Sequence, residues 1–489
     1  MPELARADVR ALREALLAAG FTVQAVEELL GEDAHRALMR NETTPGRRVT
    51  ADGSPLSTLT RLFALQVPVG LGDVGPVLPV EALVGAGVLE RSGDEVRALV
   101  DVRAYGDEDH DWWVLCDLTP ELDGERPRVS SDHVLGISSA STSLAQLTVR
   151  RPIGSALDLG TGCGVQALHL ASHAGRVVAT DVNPRALRMA RLTAALNEVP
   201  VDVREGSLFD PVAGERFDLV ASNPPFVVSP PGGELLVYRD SGLAGDEVVR
   251  RVVTQAPAYL NEGGWCQVLA NWVHVRGQDW RERIEDWLDP GCDAWVVQRE
   301  EVDLPAYVEM WLADAGLQGS PDYVRRYDAW LAWFDEQGID AIGFGWLNLR
   351  KAGRQHPVRV LEEWPYEVEQ PVGPAVAAWA ARLDALPVTD DDLAGARLRQ
   401  VRGLVQETVG EPGAEDPERI VLRLQRGVRR ARQVDTVEAG FVGACDGDLP
   451  VGSLLDALAQ LTGAEPEALR ATYVPVIREL VEDGFLEPV

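Results

Sequence analysis

The run SALDLGTGCGVQALHLASHAGRVVATD, residues 155–181, decides the fold of this chain. Ser155 to Leu159 reads as a short apolar strand, and Gly160, Gly162 and Gly164 make the turn after it. Val165 to Gly175 reads as a helix with a glycine stop, and Arg176 to Asp181 as a second strand. Glycines at a strand-to-helix turn permit otherwise strained dihedrals and let a ligand approach the backbone. Asp181 closes the second strand, where a carboxylate can accept hydrogen bonds from both hydroxyls of a ribose. GTGCGVQ lacks the GK[ST] of a phosphate-clamping loop, which disfavours P-loop chemistry. The expectation is a cofactor containing adenosine; the alternative is a purely structural turn.

The alternation continues outward. PRALRMARLTAALN is a helix opening on proline, PVDVREGSLF a third strand and loop, and RFDLVASNPPF a fourth strand running into two prolines. VVRRVVTQAPAYLNEGG is the next helix and WCQVLANW the fifth strand. RERIEDWL, PAYVEMWLADAG and DYVRRYDAWLAWFDEQG follow as helices, with DAWVVQRE and AIGFGWLNLRK as strands. Repeated strand and helix predict a mostly parallel sheet covered on both faces. EQPVGP, ending at Pro374, interrupts the pattern and marks a boundary.

Four regions result. Residues 1–105 are mainly helical and end in a short helix, a turn and a two-stranded hairpin (78–106), resembling a winged helix. Residues 106–154 form a connecting and cover segment. Within it DWWVLCD (111–117) is a buried strand, DGERPR (123–128) a surface turn, and 131–147 a cover strand and helix. Residues 155–370 hold the α/β sheet. Residues 371–489 form an α+β domain whose ending again resembles a winged helix. There IVLRLQRGVRRARQV (420–434) alternates like one strand and carries Arg423, Arg426, Arg429, Arg430 and Arg432.

The chain of 489 residues has 46 basic and 77 acidic side chains, a net charge of −31. That balance disfavours non-specific coating of nucleic acid or of an anionic membrane, and leaves room for a local basic groove. Lys351 is the single lysine. Five scattered cysteines form neither a metal knuckle nor a disulfide framework, no apolar run is long enough to cross a bilayer, and MPELARADVR is no signal peptide. A cytoplasmic location is expected, with no metal and no membrane partner.

SNPPF, residues 222–226, is the second decisive stretch. Consecutive prolines fix φ and remove two donors. The Asn223 side chain and the Pro224 carbonyl then offer acceptors to a planar group bearing N–H, and Phe226 offers an apolar face. Such a clamp suits an exocyclic amine or a carboxamide. A loop that is merely structural is the alternative.

With DLGTGCG (158–164), Asp181, GSLF (206–209) and NPPF (223–226), residues 155–275 resemble a class I S-adenosylmethionine-dependent methyltransferase of the small-domain group. That group includes release-factor glutamine N5-, ribosomal RNA guanine N2- and adenine N6-methyltransferases. The arginine-over-lysine bias is similar to that of actinobacterial members. The resemblance implies a Rossmann-like domain with a seven-stranded, mostly parallel sheet. It implies that Asp158, Gly160, Thr161, Gly162 and Gly164 hold the methionine part of the cofactor. Asp181 and Val182 would hold its ribose, and Ser207 and Leu208 would border the adenine. Asn223, Pro224, Pro225 and Phe226 would form the catalytic clamp, with Asn223 also touching the cofactor. Glutamine-modifying relatives usually carry Asp at the place of Ser207 and Tyr at that of Phe226, so both positions lean toward the nucleic-acid members.

The expected acceptor is therefore a planar nitrogen of a base in ribosomal or transfer RNA, with RNA or a ribonucleoprotein as partner. A protein glutamine, a small molecule and a non-catalytic scaffold are the alternatives. The arginines of 423–432 support RNA unless nearby acids pair with them. Trp265, Trp272, Trp280, Trp287 and Trp295 fit core packing better than base stacking, Cys163 reads as a small filler, and His133 as structural.

Overall fold

The computed structural model describes residues 4–120, 122–124, 130–231, 242–411 and 417–489. Most of the surface turn expected at 123–128 lies outside the described residues. Two compact units emerge, one made of residues 1–145 and 151–365, the other of 146–150 and 366–489.

The first unit begins with helices α1 (Arg6–Ala19) and α2 (Val23–Leu38). Gly31, at φ +66°, breaks the helical dihedrals of α2 and bends it. Strands β1 (Val69–Gly70), β2 (Leu89–Ser92) and β3 (Glu95–Ala98) form a small sheet in the order β1-β3-β2, one strand more than the expected hairpin. Strands β4 (Asp101–Gly106) and β5 (Asp111–Cys116) pair antiparallel. The expected cover helix is α3 (Ser139–Leu147), whereas residues 131–138 form no strand.

The large sheet follows. Its strands are β6 (Ala156–Leu159), β7 (Val177–Asp181), β8 (Val201–Glu205), β9 (Phe217–Ser222), β10 (Leu260–Val275), β11 (Asp293–Asp303), β12 (Ile339–Arg350) and β13 (Arg359–Glu363). They lie in the order β13-β11-β12-β10-β9-β6-β7-β8, so the sheet has eight strands where seven were expected. The edge strand β13 pairs parallel with β11. Only β12 runs against its neighbours; the remaining pairs are parallel. Parallel strands covered on both faces must be apolar on both, and all four residues of β6 are buried, Asp158 included.

Helices α4 (Val165–Ala171), α5 (Pro184–Leu196) and α6 (Glu247–Gln255) connect the parallel strands. Asn183 caps α5 by accepting the Arg185 N–H at 2.9 Å, and Pro184 needs no donor there. Further on, α7 (Leu304–Asp314) and α8 (Tyr323–Glu336) lead from β11 to β12. Trp265, Trp272, Trp280, Trp287 and Trp295 are all buried, the core role expected of them.

The N-terminal elements share a core with α4 and α5. The outer edge of β5 is closed by side chains of α5 and its end. The Trp113 N–H donates to Asn197 Oδ1 at 2.9 Å, Asn197 Nδ2 to the Trp113 carbonyl at 2.7 Å, and the Leu115 N–H to Thr193 Oγ1 at 3.0 Å. Unpaired strand amides are thereby satisfied without another strand.

The second unit holds helices α9 (Gly373–Ala385), α10 (Val451–Thr462) and α11 (Pro466–Glu482). Its strands are β14 (Arg397–Gln400), β15 (Leu404–Val409), β16 (Arg419–Leu424), β17 (Ala431–Val434), β18 (Asp446–Pro450) and β19 (Leu486–Pro488). They form two three-stranded sheets, β18-β14-β19 and β15-β16-β17. The run 420–434 is thus a hairpin and not one strand. Gly427 and Arg429 take φ +64° and +55°, which turns the chain back. Its arginines are paired: Arg423 with Glu407 at 2.7 Å, Arg426 with Glu369 at 2.7 Å, Arg429 with Glu367 at 3.3 Å, Arg430 with Asp483 at 3.7 Å and Arg432 with Glu479 at 2.9 Å.

Candidate active site

β6 and β9 are neighbours, with Leu159 opposite Ser222. Connections leave this point in opposite directions, through β7 and β8 on one side and through β10 on the other. A crevice at the carboxyl ends of such strands is where open parallel sheets bind ligands. Gly160 and Asn223 leave the sheet there side by side.

A cavity of about 420 Å³ opens over these ends. Gly160, Thr161 and Gly162 line it, as do Asp181, Val182, Ser207, Leu208, Asn223, Pro224 and Pro225. The two decisive stretches therefore share one space. Asp158, Gly164 and Phe226 do not line it. Phe226 is half-buried and packs against the core of the sheet.

Gly160 and Gly162 take φ +79° and +55°, and a Cβ on either would meet nothing within 4 Å. Gly164, at φ +89°, has a tighter reason: a Cβ there would come within 3.1 Å of Ala190 Cα on α5. The turn is held to β7 by N–H groups of Gly160 and Thr161, each donating to the Thr180 carbonyl at 2.9 Å. The Asp181 carboxylate accepts from the N–H of Gly162 at 2.9 Å and of Asn183 at 2.8 Å. Burial raises its pKa, and those two bonds pull it back.

Asp158 lies behind the turn, where its Oδ2 accepts from the Thr161 hydroxyl at 2.5 Å. Burial pushes its pKa up to about 7. Cys163 is buried in the same wall and pushed up to about 11, also by burial, so it is a thiol at neutral pH and no nucleophile. All five cysteines are free and buried. Leu208 carries φ +46°, a strained value for a branched side chain, beside Gly206 at φ +152°.

Asn223 Oδ1 is buried and has no hydrogen-bond partner among the described residues. A buried acceptor left empty is costly, and here it belongs to a residue that lines the cavity. A ligand N–H would satisfy it.

The sequence reading missed the strap 133–141, from which His133, Val134, Leu135, Gly136, Ser138 and Ser141 line the cavity. Asn183 Nδ2 donates to the Asp132 carbonyl at 2.9 Å and Gln166 Nε2 to the Ser141 carbonyl at 2.6 Å. Asp117 accepts the Val134 N–H at 2.8 Å and pairs with Arg185. His133 is buried, with Nδ1 3.7 Å from Asp117. Small polar residues without a period hid the strap. The one available signal was Gln166, which with His169 is polar on an otherwise apolar short helix. Arg251 and Leu243, from α6 and the chain before it, also line the cavity and carried no signal.

A mostly parallel sheet whose glycine turn, strand-end acid and proline loop open onto one cavity is the fold of a class I methyltransferase domain. Residues 134–280 match the family model of the methyltransferase small domain. Residues 18–99 and 377–488 match two domains of unknown function, DUF7059 and DUF7782. Over 127 residues the chain is 38% identical to the release factor glutamine methyltransferase of Geobacter sulfurreducens, covering 23% of this chain and 43% of that protein. It is 32% identical over 118 residues to the ribosomal RNA small subunit methyltransferase C of Alcanivorax borkumensis, covering 24% and 32%. The chain thus spans less than half the length of these two relatives. A Thermus thermophilus 16S rRNA N2 methyltransferase, solved with AdoMet and guanosine, is 19% identical with a TM-score of 0.27, covering 50% of this chain and 66% of that one. That likeness is too loose to argue from.

Proposed function

We propose that the chain is an S-adenosylmethionine-dependent N-methyltransferase acting on a planar amino or amide nitrogen. The observation that carries this reading is the buried Asn223 Oδ1, unpartnered among the described residues, in the same cavity as the glycine turn and Asp181. The cofactor fits the residues present. Open space over Gly160 and Gly162 admits a ligand against the backbone, and Asp181 keeps acceptor capacity for a ribose. When bound, it supplies a methyl group on a positive sulfonium, open to direct displacement by a nitrogen lone pair.

The chain's own residues orient and stabilise. Asn223 Oδ1 accepts an N–H of the acceptor and turns the nitrogen lone pair toward the donor side of the cavity. The Pro224 carbonyl is the second acceptor. Both bonds strengthen as positive charge grows on the nitrogen. The proton leaves to solvent after transfer, so no Ser/His/Asp set is required. Cys163, held as a thiol, takes no part.

A base in ribosomal or transfer RNA is the first acceptor class, supported by Ser207 and Phe226 at their two positions. A protein glutamine is the second, favoured by a specific observation: the arginines of 423–432 are taken up by acids, and the net charge of −31 suits a basic protein surface. The deciding experiment follows a labelled methyl group from S-adenosylmethionine into fractionated cell extract. Label in RNA or in protein names the class. Failure to bind S-adenosylmethionine by calorimetry overturns the whole reading.

Among the described residues no helix is long and apolar enough to cross a membrane.

A further inference from the structure

The proline loop after β9 is anchored from outside the matched small domain. Pro224 and Pro225 carry no N–H, so the loop has few donors with which to hold itself. Val228 is fully buried, and its N–H donates to the Tyr307 hydroxyl at 2.8 Å. Tyr307 sits in the first turn of α7, beyond residue 280 where the family match ends.

The phenol is itself fixed. Its ring is fully buried, with the rings of Trp311, Trp330, Phe334 and Phe344 centred 6.1, 6.4, 6.2 and 5.9 Å away. Asp303 caps α7 by accepting the Ala306 N–H at 2.9 Å, and Pro305 suits the first helical turn. Val228 belongs to the same apolar cluster as Tyr307, Val308 and Phe334. A rigid acceptor on a packed helix holds the loop in one place.

We propose that Tyr307 is a positioning residue of the acceptor site. Its hydroxyl fixes the backbone two residues beyond Phe226 and so sets Asn223 and the Pro224 carbonyl against the cavity. The proposal rests on reading that cavity as a methyl-transfer site. Displacement at carbon needs the reacting atoms aligned, and a misplacement of about 1 Å costs about a hundredfold in rate.

Tyr307→Phe removes one oxygen and keeps the ring. In the full chain, three readouts are compared: S-adenosylmethionine affinity by calorimetry, tritiated methyl incorporation into the RNA and protein fractions of a methylation-depleted extract, and amide exchange at Val228. The expected result is an affinity within about twofold of wild type, incorporation lowered about tenfold to a hundredfold, and faster exchange at Val228. Phe334→Leu loosens the same cluster without touching the bond; it should lower the unfolding temperature and leave incorporation by the folded protein near wild type. Wild-type incorporation by Y307F, or an equal loss in F334L, overturns the proposal. If Y307F fails to fold, or neither fraction takes label, exchange in the wild-type protein decides. Protection at Val228 matching the interior amides of α7 supports the anchor, and free-loop exchange overturns it. A wild-type chain that binds no S-adenosylmethionine sinks the methyl-transfer reading instead, and the exchange result still judges the anchor.

Discussion

The Ser222 hydroxyl donates to the Leu159 carbonyl at 2.8 Å, fully buried, between the last residues of two neighbouring strands. One strand ends in the glycine turn and the other in the proline loop, so this bond holds the two halves of the site in register. Ser222→Ala should cost about 1–2 kcal/mol of stability, measured by urea unfolding, because the carbonyl loses its partner in a dry place. No change in the midpoint would mean that the strands alone set the register.

Asn223→Ala has an unusual signature. Its Oδ1 has no partner among the described residues, so truncation removes an unsatisfied acceptor and should leave stability unchanged or slightly higher. Methyl transfer should fall about 10²–10³-fold, with cofactor affinity within about threefold. A variant that unfolds readily and keeps its turnover would place Asn223 in the scaffold.

Asp181→Ala should weaken S-adenosylmethionine binding by at least about tenfold in calorimetry, through loss of a charged acceptor. Circular dichroism should stay native. Burial already disfavours this carboxylate in the fold, so its removal is not expected to unfold the chain.

Asp158 makes stability depend on pH. Its pKa is raised to about 7 in the fold by burial, above the ordinary value of an unfolded aspartate. Between about pH 4 and 7 the folded chain keeps a proton that the unfolded chain releases, so this contribution is full at low pH and is lost as pH rises through about 7. The loss is on the order of 3–4 kcal/mol. In Asp158→Asn, the fall in unfolding free energy from pH 5 to pH 8, which spans about two units of that interval, should be smaller than in wild type by roughly 2–3 kcal/mol. Parallel profiles would show that Asp158 is ionised in the fold throughout.

The central sheet was legible because parallel strands covered on both faces must be apolar, and glycine or proline punctuates their ends. Asp181, Gly160 and Asn223 stood out as exceptions at those ends. Phe226 read as a lining residue because a motif says nothing of rotamer; the ring turns to the core instead. The 420–434 run looked like a single strand because its alternation continues across Gly427, where only a positive φ reveals the reversal. The eighth strand pairs with a strand distant in sequence, and no local pattern encodes that choice. Tyr307 was invisible for the same reason: it meets Val228 across 79 residues of chain.

The closure of the β5 edge by Thr193 and Asn197 bears on how this protein comes apart. Residues 134–280, cut out as a fragment, would leave those two side chains reaching for amides no longer there and would wet the faces of Leu168 and Met189. The matched fragment and its N-terminal neighbour should melt in a single transition, and a shortened form carrying only the recognisable motif should clump before it can be assayed.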